Sequence, residues 1–466
     1  MMIEITNKKI QVSLSDYPYH RDIAHRLLIA ELTNFEVEVI QEILHSSLKI
    51  SIFKLADTLS VAASTLLPAL EKLKNTQLFH LDTDHIIVDK QMRKFYGFHM
   101  AKFDRNFRSD MEFLRKSLQQ IPIHLLPDWY AIPRTSDDIF TSIIDKFFRT
   151  PQIYRQHLDD LRFDDFRLHE ILNDVYRAPD FKVRTKTLLD KYSLSREMLE
   201  EYLLLLEFNL ACCSSYEQCD GQWEEIITPF FEWRAYRRLL RDRIPNSIQH
   251  PLSIQRTHPQ DFGFIQDMNI LLTAVCNQPL SLRQEEGDGA LSLQAIKSLF
   301  SSVYAQHPSD SYLHSLLEKL QQLHLAAAVD HYLCPCGMTD DWLKKPLEKQ
   351  AFAMYKSTAA ALYEGVDRNQ RKIERCLADL SVDGWMYVED FAKACTAPIG
   401  NHSPVMLKKT GKKWKYHLPA YTSEDVQTLH NYLFQDLFYA GIMATGVHEN
   451  KPCFCLTRFG RMILNG

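Results

Sequence analysis

The chain has 466 residues, 45% of them apolar and 24% charged, with a formal net charge of −5. That length accommodates three or four domains of ordinary size, and the slightly acidic balance excludes a protein that coats nucleic acid through bulk charge. Glycine is scarce, 14 residues in all, so few phosphate-cradling loops are available; the composition fits a helical chain with short connections and fits most nucleotide-binding enzymes poorly. The opening MMIEITNKKIQV has no apolar core of a secretory signal, and the longest apolar run, YLLLLEFNLACC, carries Glu207 and Asn209. A soluble, cytoplasmic protein with no membrane contact is therefore expected. Ten cysteines without a C-x-x-C pair read as reduced thiols rather than a disulfide framework.

In chain order, residues 3–14 alternate (Ile3, Ile5, Ile10, Val12, Leu14) and read as a hairpin. A helix is expected over 34–46 and a short one around Leu55, Ala56 and Leu59. A third follows, capped by Ser64, whose Leu66, Leu70 and Leu73 repeat at i, i+4, i+7 and make one apolar face. Phe79, Leu81, Ile86 and Val88 then alternate about a turn at Thr83 and Asp84, a small hairpin. This order resembles that of winged helix-turn-helix proteins. Residues 90–116 read as one helix with eight bases against four acids when Asp89 just before it is counted, and Pro122, Pro127 and Pro133 mark a linker. Two short helices are expected over 136–162.

The same order recurs three times. Helices over 165–176, 182–194 and 195–210, the last capped by Ser195, precede a hairpin over 211–228 that turns at Asp220 and Gly221. Helices over 261–275, 291–304 and 309–325 precede a hairpin over 326–336. Helices over 368–380, 386–395 and 422–440, the last opened by a Thr422…Asp425 capping box, precede a hairpin over 442–457. In each copy a helix ending in leucines runs directly into a hairpin: LKNTQLFHLD, LEFNLACCSS, LQQLHLAAAV, LFYAGIMATG. An irregular helical repeat scaffold is the competing reading, and the hairpins argue against it. The expected fold is mainly α: tandem winged-helix units, each a three-helix bundle with a small β-hairpin wing, divided at 1–122, 123–250, 251–365 and 366–466. The last unit, with Leu456, Thr457, Gly460 and Ile463 after its hairpin, resembles the winged-helix accessory domain beside XPB-type helicase motors. The motor itself is absent: Gly411 and Lys412 come nearest to a Walker A ending, but Met406 stands where its first glycine belongs.

The leading functional signal is Lys408, Lys409, Lys412, Lys413 and Lys415 with Trp414 and Tyr416, a run without acid in which the lysines meet phosphates and the aromatics stack on bases. A merely solvated lysine loop is the alternative. In the usual docking a third helix presents its first turns to the major groove. The first unit offers Ser64, Thr65, Ala69 and Lys72 there, whereas the second offers Glu197, Glu200 and Glu201 and the fourth Glu424 and Asp425, which repel phosphate. Arg234, Arg237, Arg238 and Arg241 form one helical stripe, read as paired with Glu224, Glu225 and Glu232. Cys334 and Cys336 with His331, and Cys453 and Cys455 with His448, supply three ligands each where structural zinc takes four; buried apolar cysteine is expected, with no metal and no cofactor. HExxH, GxSxG and GxGxxG are absent, so no catalytic residues and no small-molecule substrate are assigned. The expected role is a non-catalytic, nucleic-acid-associated accessory or regulatory protein that binds duplex DNA, with a possible protein partner. The alternative is a winged-helix protein-interaction scaffold that binds no nucleic acid.

Overall fold

The computed structural model describes residues 12–135, 138–282, 293–301, 308–363, 369–379, 384–400 and 402–465. It is mainly helical, 56% helix and 15% strand, and its strands form small antiparallel sheets. Residues 3–11 of the hairpin expected over 3–14, the polar loop RQEEGDGA and parts of three expected helices lie outside the described residues. The hairpin's last position, Leu14, opens a short 3-10 turn, Leu14–Asp16, instead of ending a strand. The chain divides into two compact units, Met1–Leu239 with Val405–His417, and Leu240–Pro404 with Leu418–Gly466.

One element order occurs twice in each unit. In the first copy helix Asn34–His45 is followed by strand Lys49–Ser51, helices Ile52–Thr58 and Ala63–Leu73, and strands Phe79–Asp82 and His85–Val88. The short strand pairs with the returning arm of the hairpin, Ile50 opposite Ile86, and that arm pairs with the outgoing one, Phe79 opposite Val88. The second copy runs Phe166–Arg177, Val183–Arg184, Thr185–Tyr192, Arg196–Phe208, Cys213–Cys219 and Gln222–Thr228. The third runs Gly263–Asn277, Leu280–Ser281, Gln294–Ser301, Asp310–Gln322, Ala326–Val329 and Tyr332–Pro335. The fourth runs Asn369–Asp379, Met386–Tyr387, Val388–Ala394, Ser423–Asn431 extended by Tyr432–Leu437, Met443–His448 and Lys451–Leu456. In all four the short strand lies against the returning arm, never the outgoing one; in the fourth, strand Gln255–Arg256 adds to the far edge.

The recurring leucine-rich phrase has a local cause. Each third helix gives way to a residue at positive φ, Gln77 (59°), Leu210 (60°), His324 (54°) and Gly441 (69°), the left-handed position that closes a helix. The next residue turns inward: Ala211, Leu325 and Ile442 donate their N–H groups back to Leu206, Leu320 and Leu437 at 2.9–3.0 Å, which satisfies late helix carbonyls and aims the chain into the hairpin. Hairpin turns with paired positive φ, Asp220 with Gly221, Asp330 with His331 and Glu449 with Asn450, match the twist of the strands they join. Ser195, Ser309 and the Thr422–Asp425 box cap their helices as expected.

Several local expectations give way. Ser64 does not cap: the helix begins after Ala62, and Ser64 is already inside its first turn. The expected single helix over 90–116 breaks into Lys90–Met100 and Met111–Leu118, because Asp110 caps the second piece by accepting from the Phe113 N–H at 2.9 Å. The proline-marked stretch after 121 is no exposed linker: Ile121, Leu126, Trp129, Tyr130 and Ile132 are buried. Leu347–Tyr363, a 17-residue helix, was not anticipated at all. No single helix among the described residues is long and apolar enough to cross a membrane.

The second copy's third helix, Arg196–Phe208, is buried on several sides, and its Glu207 is fully enclosed. There the carboxylate meets the Arg26 guanidinium at 3.3 Å, accepts from the Ser117 hydroxyl at 2.7 Å and lies 4.0 Å from the Lys102 ammonium. Burial pushes this carboxyl up; Lys102 and Arg26 outweigh it and hold the group below its usual range.

Candidate nucleic-acid interface

The third helices differ sharply in what they present. In the first copy Ser64 and Thr65 are exposed, but Ala69 faces the core. Lys72 is exposed yet engaged, its ammonium 2.9 Å from Glu36. In the second copy Glu200 points inward and is paired with Arg196, which also reaches Glu225, while Glu197 is exposed. In the fourth, Glu424 is exposed and Asp425 is held by its capping box and by His402 at 2.8 Å. None of the three places an unpaired cation at the head of its third helix.

The lysine-rich segment is ordered as a hairpin, strands Met406–Thr410 and Lys413–His417 joined at Gly411 and Lys412, where Gly411 takes φ 62°. Lys408 lies opposite Lys415, Lys409 opposite Trp414 and Leu407 opposite Tyr416. Period-2 geometry then separates two faces. Leu407, Lys409, Trp414 and Tyr416 share the inner face, and both Leu407 and Tyr416 are buried. The Tyr416 ring lies 5.1 Å from that of Tyr236 and 6.3 Å from that of Trp233, and its hydroxyl donates to the Phe148 carbonyl at 2.9 Å. The Leu407 N–H donates to the Arg149 carbonyl at 2.9 Å. Lys409 is neutralised by Glu112 at 2.5 Å, and the Trp414 indole N–H donates to the same carboxylate at 3.2 Å. These two donors hold the Glu112 carboxyl below the usual range, the Lys409 hydrogen bond contributing most.

Of the expected contacts, Lys409 is thus spent within the protein, and Trp414 is half-buried rather than projecting for free stacking. Lys408, Lys412, Lys413 and Lys415 are exposed and make no ion pair among the described residues. Four cations therefore project from a hairpin fixed at its base by Leu407 and Tyr416.

Beside this hairpin is a pocket of about 650 Å³ that sequence reasoning missed. Its walls come from the 104–110 segment, helix Phe231–Asp242 and the strand Lys413–His417. The Arg108 guanidinium lies over the Phe231 ring at 4.6 Å. Glu232 is only 3% exposed; its Oε1 accepts from the Met111 N–H at 3.0 Å, and its Oε2 has no hydrogen-bond partner. Burial pushes its carboxyl up to about 8. The signal available in the sequence was the spacing of Phe231, Glu232, Ala235, Tyr236 and Leu239 on one helical face; nothing in it said that a segment some 170 residues further on closes the opposite wall.

Two other expectations are corrected. Among the described residues, Arg234, Arg237 and Arg238 of the arginine stripe take other partners than Glu224, Glu225 and Glu232. Arg234 donates to the Thr228 hydroxyl at 2.8 Å, Arg238 to the Asp180 carbonyl at 2.9 Å, and Arg237 lies over Trp233, while Arg184 and Arg196 take the first two glutamates. Of the four C-x-C thiols only Cys453 is buried; Cys334, Cys336 and Cys455 are half-exposed. His448 has both ring nitrogens engaged, with the Tyr387 hydroxyl at 2.6 Å and that of Ser253 at 2.9 Å. No group of three metal-ligating side chains is assembled among the described residues. No protein-family model matches the chain, and no curated protein sequence is similar to it.

Proposed function

We propose that the chain is a non-catalytic accessory or regulatory protein of tandem winged-helix build, associating with nucleic acid, duplex DNA foremost, through the lysine hairpin rather than through its third helices. The observation that carries this reading is the set of four unpaired lysines held on one rigid two-stranded element. Such an element places its charges at fixed separations of a few ångströms, so phosphates are met without ordering a loop on binding, and condensed counterions are released. Contacts of this kind position a protein on the duplex and carry no base preference. The fourfold order of helix, strand, helix, helix and hairpin supports the winged-helix reading. A mobility-shift assay on mixed-sequence duplexes tests it. Wild type is expected to retard the duplex, and Lys408→Ala with Lys412→Ala to weaken that retardation without altering base preference.

A second reading is favoured by one observation: the second copy's third helix is enclosed, and the first and fourth present no unpaired cation at the helix head. Modules of that kind serve as a protein-interaction scaffold. Absence of any retardation at low salt, where attraction is least screened, would give this reading the lead.

A further inference from the structure

The pocket beside the lysine hairpin has a composition that neither phosphate positioning nor protein scaffolding requires. We propose that it binds a nucleotide, a planar heteroaromatic ring bearing a phosphate. The ring would lie against Phe231 and Trp414, with the phosphate at the opening, which the exposed Arg108, Lys413 and Lys415 line. This deepens the nucleic-acid reading, and rests on it only in allowing the nucleotide to be the end of a strand.

Three independent features converge on that chemistry. The first is size: about 650 Å³ falls within the roughly 300–1,000 Å³ of small-molecule sites and matches a mononucleotide rather than a folded segment. The second is the wall. Phe231 from the helix and Trp414 from the facing strand are each partly exposed at the pocket, so flat apolar surface is presented by two separate elements, the platform on which bases stack, while Tyr236 and Tyr416 are buried. The third is polarity. Arg108, Lys413 and Lys415 are exposed at the pocket and make no ion pair among the described residues. The Asp110 carboxylate beside them is occupied in capping its helix.

Glu232 narrows the class further. Its buried carboxyl has one oxygen filled by the Met111 N–H and the other unfilled. Burial without a cation at salt-bridge distance pushes this carboxyl up to about 8, and in its protonated form it holds a donor that needs an acceptor. A ring nitrogen or carbonyl of a nucleobase is such an acceptor. Asp110 and Glu112 add like charge nearby, and Arg108, Lys413 and Lys415 line the same pocket with opposite charge. Inorganic phosphate leaves the aromatic walls and the Glu232 proton unused; a nucleoside leaves the three cations unused. A nucleotide engages all of them.

The test is calorimetric titration of the full chain with adenosine and uridine 5′-monophosphate, adenosine, inorganic phosphate, and a single-stranded oligonucleotide with or without a 5′-phosphate. One saturable site is expected for the monophosphates or the 5′-phosphorylated strand, with nucleoside and phosphate at least tenfold weaker. A tenfold preference for the phosphorylated strand assigns the strand end as source; equal or tighter mononucleotide binding assigns the free nucleotide. Lys413→Ala with Lys415→Ala should weaken binding tenfold or more, with circular dichroism unchanged. Wild-type affinity should fall as pH rises through about 8, where Glu232 ionises, and Glu232→Gln, which stays neutral and keeps a donor, should bind with a flat profile. Absence of saturable binding by every phosphorylated ligand, or binding indifferent to the two lysine substitutions, overturns the proposal. Because duplex association is read through Lys408 and Lys412, a chain that retards duplex but binds no nucleotide loses the pocket alone. A chain that binds nucleotide but retards no duplex loses only the broader reading.

Discussion

Replacing Arg26 by Met is expected to destabilise the unit containing it by about 3–5 kcal/mol, although the substitution touches no proposed binding residue. Glu207 is fully buried, and Arg26 is its nearest charged partner, at 3.3 Å. Unit charges at that distance interact by about 5 kcal/mol at an effective dielectric of 20. Lys102 at 4.0 Å and the Ser117 hydroxyl at 2.7 Å remain, so part of that attraction survives. The loss should depend on pH. In the folded protein the Glu207 carboxyl is held below its usual range. Its stabilising contribution is therefore fully present above the unfolded value, about 4.3, and is lost as pH falls through the lower folded value. The gap between wild type and Arg26→Met should accordingly be widest above about pH 4.3 and narrow as the pH falls below it. Adding Glu207→Leu removes the stranded charge, so the double variant should fall short of the sum of the singles by about 1–3 kcal/mol. Urea denaturation followed by far-ultraviolet circular dichroism and tryptophan fluorescence measures all four corners of the cycle. Additive effects, or a single-variant loss under about 1 kcal/mol, would refute the claim that this buried pair organises the unit.

Other outcomes follow from particular groups. Glu232 takes up a proton on folding, its carboxyl being raised from 4.5 to about 8, so stability should decline as pH rises across that window, by up to about 1.4 kcal/mol per pH unit; Glu232→Gln should flatten the profile. Tyr416→Ala should cost about 3–5 kcal/mol and expose the turn at Gly411 to proteolysis, whereas Tyr416→Phe, which loses only the hydrogen bond to Phe148, should cost about 0.5–1.5 kcal/mol; equal effects would mean that ring packing does not anchor the hairpin. Metal analysis should find well under one zinc per chain, and a stoichiometric zinc whose chelation melts the fold would contradict the reading of both C-x-C pairs.

What could be read in the sequence was local. The hairpins were legible because period-2 alternation flanks turn residues such as Asp220 and Gly221, and the helix starts because Ser195, Ser309 and Thr422 precede apolar periodic runs. The strands Lys49–Ser51, Val183–Arg184, Leu280–Ser281 and Met386–Tyr387 were missed, since two or three residues carry too little periodicity and their pairing is long-range. Tertiary context overrode composition in the proline-marked stretch, where Trp129 and Tyr130 supply core surface and the Trp129 indole donates to Asp16 at 2.7 Å. The lysine run was legible as a charge feature. Its division into an inner face that pairs Lys409 with Glu112 and an outer one bearing free cations required knowing where Tyr416 is buried.

The central claim is most directly tested by the salt dependence of duplex binding. Binding of a mixed-sequence duplex, measured from about 50 to 200 mM salt, should give a linear log–log plot, and each phosphate contact removed by Lys408→Ala or Lys412→Ala should lower its slope by about 0.9. Lys409→Ala should change the slope little, because that ammonium is already taken by Glu112 at 2.5 Å. A slope unmoved by the exposed lysines, or a wild-type protein that binds no duplex at the lowest salt, would contradict the account.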